Sequence, residues 1–322
     1  MVQYSQQRSS RRGRLTDQIM RAVCFICAVL LIAVIVAVFI FIGSKSFRIF
    51  SEGANVKTFF TVDNWDPTGA NDPTGVGNPT YGAFGLILGS IVLTLGSIII
   101  VTPLALLTAV FFTEMAPKWL VSFLNPLIEI FTGIPSVVIG FLGLTIIVPT
   151  ISRLVTPFQK QLGILGATGG FGWGAGIVVL VIMVLPTVLS ISIDSLRAVP
   201  DSVREASLAL GSTRWQMMRK GIIPAASTGL GTAVVLGMAR AIGETLAVAL
   251  VLGGNSLPAK LFSLGALFQP NINVTAMIAQ NFGEAVGTVS ENAYWTLAFV
   301  LLVISFIFIC ISRYLASRSV YK

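Results

Sequence analysis

Two charged residues stand where charge is expensive. Arg240 and Glu244 lie in the run Arg240-Ala241-Ile242-Gly243-Glu244-Thr245, well inside an apolar stretch covering 225–253. A charge at the centre of a membrane costs about 2.5–3.5 kcal/mol on insertion scales, so such residues mark a pathway or a partner. Four positions apart, they are expected on one helix face and able to pair, which would offset part of that cost and hold Glu244 ionised. Two readings stay open. The pair is a self-neutralised lock between helices, or its guanidinium fork is offered to an oxyanion while the carboxylate competes for it and shortens the stay.

Other chemistry is scarce. The chain has no histidine, which removes the commonest general base and metal ligand. It holds no G-x-x-x-x-G-K-[ST] phosphate loop, so any ATP-derived energy must come from a partner. Cys24, Cys27 and Cys310 all sit in apolar stretches, where they read as small hydrophobes. With no nucleophile-base pair or metal cluster to be found, an enzyme is the weakest reading.

The elements that carry these residues belong in lipid. Of 322 residues, 55% are hydrophobic and 11% charged, against roughly 25% charged in soluble domains. The apolar residues come in blocks long enough to span a bilayer: 22–43, 81–112, 119–151, 176–193, 225–253 and 294–311. Six crossings put both termini on one side. With the termini inside, fourteen basic residues fall inside and six outside, and Arg240 completes the 21, so the positive-inside rule favours cytoplasmic ends. Topology thus accounts for the net charge of +8 without nucleic acid.

Residues 1–18 form a basic tail expected to be flexible. A first span and a long external loop follow over 19–80, with turns at Asp66-Pro67, Asp72-Pro73 and Asn78-Pro79. Two later external loops are expected at 154–173 and 255–292; in the second, 275–279 is expected as an amphipathic surface segment, with re-entry into the membrane the other reading. Glu129 is expected near the cytoplasmic end or facing the bundle. Pro103, Pro135 and Pro186 are expected to bend their helices, Gly85, Gly89 and Gly96 to allow close packing, and Trp119, Trp173 and Trp295 to anchor at the interface.

The loop 194–224 is long for a connector and carries five basic and three acidic residues. Its middle is expected to be a helix, capped by Ser202 with Glu205 three residues on and stopped at Gly211. Ala206, Leu208, Ala209 and Leu210 give a small apolar surface flanked by basic residues. That suits either a solvated connector or an element docking into a groove on another protein.

The run Glu205-Ala206-Ser207-Leu208-Ala209-Leu210-Gly211, nine residues, then Gly221-Ile222-Ile223-Pro224 resembles the cytoplasmic EAA loop of ABC-importer permeases. That motif reads E-A-A, three residues, G, nine residues, I-x-L-P. Here Ser207 replaces the second Ala, Gly221 the Ile and Ile223 the Leu. The R-A-x-G-E-T run, continued by Leu246-Ala247-Val248 and ending in Gly253-Gly254-Asn255, resembles the signature of PstC-type phosphate permeases. Gly133-Ile134-Pro135-Ser136-Val137-Val138, Pro103 and Glu114-Met115-Ala116-Pro117 extend the likeness, which covers 59–311. The PstA-type partner permease shares R-A-x-G-E-T; the following run and the long first external loop fit PstC better.

The resemblance implies an all-α polytopic fold of six transmembrane helices, with a type I (MetI-like) permease core over 81–322. It implies a substrate pathway using Arg240, Glu244, Thr245 and Ser136, and an ATPase-coupling surface at Glu205, Ala206, Ser207, Leu210 and Gly211. It further implies a second homologous permease, two ATP-binding subunits that hold ATP and Mg, and an extracytoplasmic phosphate-binding protein, all at a bacterial inner membrane. This chain itself then needs no cofactor. A permease for sulfate or molybdate keeps the loop and changes the ligand. An ion-coupled secondary transporter would use the intramembrane charges without needing the loop.

Overall fold

The computed structural model describes residues 11–51, 53–69, 77–159, 161, 169–254, 263–285 and 287–317. The first ten residues of the expected tail, the Asp72-Pro73 turn and parts of the two later external loops lie outside the described residues. The protein is built mainly from helices: α1 Arg11–Ser46, α2 Phe84–Val110, α3 Lys118–Gly133, α4 Ser136–Leu142, α5 Trp173–Arg197, α6 Asp201–Ala209, α7 Ser227–Gly243, α8 Leu246–Leu252, α9 Val274–Asn281 and α10 Thr288–Ser317, with shorter helical pieces and two two-residue strands in the segments between them.

Five stretches are long and apolar enough to cross a bilayer: Thr16–Ser51, Phe84–Met115, Ser136–Phe158, Trp173–Arg197 and Val289–Tyr314. A sixth candidate is bent by 68° where Arg214–Ala225 meets Ser227–Gly243. The fold is thus the expected all-α polytopic one, yet three of its segments outside the candidate site differ from the sequence reading.

The first difference is at the N-terminus. Residues 11–18, expected as flexible tail, are already helical. Helix propagation past a formed nucleus costs little, so the apolar span draws the preceding arginines into its own ladder.

The second is the block 119–151, which is not one crossing. Pro135 has no N–H to donate and forces Ile134 out of the helical region, to φ −66° and ψ 129°. The chain therefore splits into α3, none of whose residues is buried, and a separate span that starts at Ser136 and runs on to Phe158.

The third is at 275–279, which is not a surface segment. It belongs to α9, whose Val274, Thr275, Ala276 and Met277 are buried against α2, α8 and α10.

The core is threaded along α5. At one end, Val184, Val188, Leu196, Ile98, Val101 and Ala233 pack together from α2, α5 and α7. At the other, Leu86, Leu93, Trp173, Leu252, Ile272 and Leu297 do so from α2, α5, α8, the segment just ahead of α9, and α10. Trp173 is 1% exposed, so it is a core residue rather than an interfacial anchor. It seats against Gly89, where a Cβ would meet the Ile272 carbonyl at 2.7 Å. Outside that end, the strands β1 (Trp65–Asp66) and β2 (Thr80–Tyr81) pair antiparallel, and Trp65 packs edge-on against Phe59, Tyr81 and Tyr294. α1 leans on the bundle through α10 and leaves its apolar surface outward, as a lipid-facing helix does.

Candidate functional site

The expected crossing over 225–253 is a broken helix. α7 ends at Gly243, Glu244 is extended at φ −74° and ψ 127°, and α8 starts at Leu246 after Thr245 in the cap position. Glycine is a poor helix former and Thr is stiff at χ1, so the helix is weakest here. The break is then held by specific bonds. The Ala247 amide donates to Glu244 Oε1 at 3.2 Å, which satisfies an amide at the start of α8. The Thr275 hydroxyl, from buried α9, donates to the Glu244 carbonyl at 3.3 Å. The Thr245 hydroxyl points back to the Gly243 carbonyl at 3.4 Å.

The break separates the two charges. Arg240 stays on α7 and donates from Nη1 to Thr187 Oγ1 on α5 at 2.8 Å. Glu244 caps α8, so the expected i,i+4 pair is not formed: that geometry needs an unbroken helix through both residues. Among the described residues the ion pairs are Arg204 with Glu114 and Arg204 with Asp201, leaving Arg240 half-buried without a carboxylate partner. Nothing in the sequence pointed to Thr187 or Thr275, which lie 53 and 31 residues away from their partners.

Ser136 opens α4, which packs along α8 so closely that a Cβ on Gly140 would come within 2.5 Å of the Ala247 Cα. It is thereby brought beside the broken element. No hydrogen bond ties it to Arg240 or Glu244 among the described residues.

The second candidate surface is α6. Its helix starts at Asp201 behind Pro200, so the cap expected at Ser202 is not used; an acidic first turn against the helix dipole takes its place. The stop at Gly211 is as expected. Its φ is +77°, the Ser212 amide donates to the Ser207 carbonyl at 3.3 Å, and the Gly211 amide to that of Leu208 at 2.9 Å. These two bonds make a Schellman turn.

Glu205, Ala206, Leu208 and Leu210 are exposed and Ser207 is half-buried, Leu210 reaching 86%. Trp215, which the sequence reading did not single out, adds 60% exposure just beyond. A leucine and a tryptophan so open on a short polar element fit an interaction surface.

What holds that surface in place is Arg204. It donates to Glu114 Oε1 from Nε and Nη2 at 3.3 and 3.0 Å, to the Val199 and Leu196 carbonyls at 2.7 and 3.2 Å, and to Asp201 at 3.1 Å. Glu114 sits in the π-helical turn Phe111–Met115 that closes α2. One side chain thus ties the exposed segment to the ends of two spans.

With this geometry, residues 101–321 match the family described as the binding-protein-dependent transport system inner membrane component. The chain belongs to that family. The permease is 43% identical to the probable ABC transporter permease protein YqgH of Bacillus subtilis, over 96% of its own length and 94% of that protein's. It is 31% identical to the phosphate transport system permease protein PstC of Mesorhizobium japonicum, covering 98% and 95%. It is 34% identical to PstC of Xylella fastidiosa, covering 81% and 79%. In fold the permease is similar to a chain of the bacterial alginate ABC transporter, with a TM-score of 0.59 at 12% identity covering 95% and 98%. It is also similar to a chain of the inward-facing MetNI methionine ABC transporter, with a TM-score of 0.53 at 19% identity covering 72% and 94%. The permease is therefore a multi-pass inner-membrane subunit of an ABC importer.

Proposed function

We propose that this permease carries inorganic phosphate inward, with Arg240 as the anion contact. The observation that supports this reading is a guanidinium inside a membrane-embedded bundle with a threonine, and no carboxylate, as its partner. A cation buried in lipid is retained at a cost of about 2.5–3.5 kcal/mol, and an anion that crosses there offsets it while bound. Arg240 keeps several donors free for a planar or tetrahedral oxyanion. Glu244 and Thr245 shape the break beside it and Ser136 opens the neighbouring wall. The phosphate assignment draws on relatives named PstC at 31–34% identity over most of the chain.

In this reading both termini are cytoplasmic, and a PstA-like second permease completes the pathway. Two ATP-binding subunits hold ATP and Mg and dock on Glu205, Ala206, Ser207, Leu210 and Gly211. A phosphate-binding protein delivers the anion from outside. Closure of the ATPases moves the docked segment, and the Arg204 bracket passes the movement to α2 and α5.

The test is phosphate uptake by the assembled transporter carrying Arg240→Gln. Losing a charge-assisted hydrogen bond of about 1.5–3 kcal/mol lowers uptake roughly ten- to hundredfold, with unchanged expression and ATPase association. Uptake at the unaltered level overturns the reading. A second reading, a different oxyanion, has support because one relative, at 43% identity, carries a name without a substrate; uptake of sulfate or molybdate by the assembled transporter, with no uptake of phosphate, would favour it.

A further inference from the structure

We infer that the inner half of the anion route runs along a polar stripe shared by α3 and α5, with Arg197 as a second anion contact below Arg240. The inference rests on the anion-permease reading and adds a site to it.

The stripe begins at the proposed contact. Thr187, which receives the Arg240 hydrogen bond, is followed on α5 by Ser190, Asp194 and Arg197 at intervals of three, four and three residues. At 3.6 residues per turn these four share one face. The opposite face is core: Val188, Ser192 and Leu196 are 1, 0 and 0% exposed. α5 thus packs its opposite face into the core and presents these four polar side chains along one line that leads from Arg240 towards the helix end next to α6.

A cavity of about 100 Å³ opens on that line, several times what one water needs. Asn125 and Glu129, four apart on α3, form its second wall and face Ser190, Asp194 and Arg197 across it. Ordinary solvation explains charges at the very end of a helix. It does not explain why Ser190 and Thr187, one and two turns deeper, continue the same line, or why α3 aims an amide and a carboxylate at it. Polar side chains at such depth face a bundle interior or a water-filled space.

Arg197 has no carboxylate within ion-pairing distance among the described residues, although Asp194 and Glu129 line the same cavity. The guanidinium is therefore available to an anion, while the two carboxylates keep the local field from holding it. That combination suits a station an anion passes through and leaves. α3 has no buried residue, so its remaining face is open for a second subunit to close the route from the other side.

The test uses the assembled transporter with Cys24, Cys27 and Cys310 replaced by serine, and single cysteines probed from the cytoplasmic side with methanethiosulfonate reagents. Ser190→Cys, or Asn125→Cys on the opposite wall should the first fail to assemble, reacts much faster than Ser192→Cys. Inorganic phosphate slows that reaction. In the Ser190→Cys background, Arg197→Gln lowers the rate with the anionic ethylsulfonate reagent several-fold relative to the cationic trimethylammonium reagent. Equal, slow labelling at positions 190 and 192 would remove the stripe from the route. An unchanged anion-to-cation ratio would remove Arg197 as a contact. Fast labelling slowed by sulfate but not by phosphate leaves this inference standing and brings down the phosphate assignment alone. Slowing by no oxyanion at all overturns the site.

Discussion

At the scale of single residues, the two charges that look alike in the sequence do different work. Glu244 accepts the Ala247 amide and holds the start of α8, a task in which the oxygen matters more than the charge. Glu244→Gln is therefore expected to keep the melting temperature of the purified complex. Glu244→Ala, which deletes the acceptor, lowers its stability by about 1 kcal/mol, the usual cost of a lost helix cap. If Gln destabilised the complex as much as Ala, the negative charge itself would be the stabilising feature.

Arg240, by contrast, has a threonine for its partner. The role proposed for it asks for planar, multi-donor recognition, so Arg240→Lys recovers only part of the uptake lost in Arg240→Gln. Full recovery by lysine would mean that positive charge alone suffices.

At the scale of elements, two of the three departures from the family motif, Ser207 on the exposed α6 and Gly221 in the π-helical turn Met217–Ile222, touch each other. A Cβ built on Gly221 would come within 3.0 Å of the Ser207 Oγ. The departures are complementary in volume. A bulky residue at 221 collides with the serine hydroxyl, and the hydroxyl is bound back to the Val203 carbonyl at 2.8 Å, so it does not swing away freely. Gly221→Ile alone is expected to impair transport. Adding Ser207→Ala, the motif residue, restores part of it, giving a positive coupling of about 0.5–3 kcal/mol in a double-mutant cycle. Strictly additive effects would show that the contact does not matter.

The bracket behind this segment is the Arg204–Glu114 pair, with side-chain exposures of 20 and 8%. Glu114→Gln weakens it by about 1.5–3 kcal/mol, the usual worth of hydrogen bonds to charged groups. Because the bracket joins the segment to α2, the expected result is ATP hydrolysis retained and transport per ATP reduced. Equal loss of both activities would point to a plain folding defect.

At the scale of the whole molecule, the chain is an incomplete object. α3 buries nothing, α1 leaves its apolar surface outward, and Leu210 and Trp215 stand open beyond the spans. A lipid environment suits the first helix, and the partner subunits proposed above would cover the other surfaces. The basic-residue asymmetry predicts one orientation: an alkaline phosphatase fusion at residue 64 is expected to be active, and one at residue 212 inactive, since the enzyme folds only outside the cytoplasm. The reverse pattern would invert the topology and put the α6 surface out of reach of any ATPase.

Much of this was settled by the chain alone. Blocks of about twenty apolar residues cannot remain in water, so the all-α membrane fold follows from composition and length. The stop at Gly211 was legible because only a local positive φ was needed, and the exposed α6 face because its small apolar residues recur beside charges. What the sequence did not contain was every contact made across the bundle. Helix periodicity carried α7 through Gly243, and only packing against α9, with Thr275 holding the Glu244 carbonyl, shows that the helix breaks there and that Arg240 and Glu244 part. The partners Thr187 and Glu114 were invisible for the same reason. A hydrogen bond between residues 53 or 90 positions apart leaves no periodic trace, because it is fixed by how whole helices pack and not by the order of residues along any one of them.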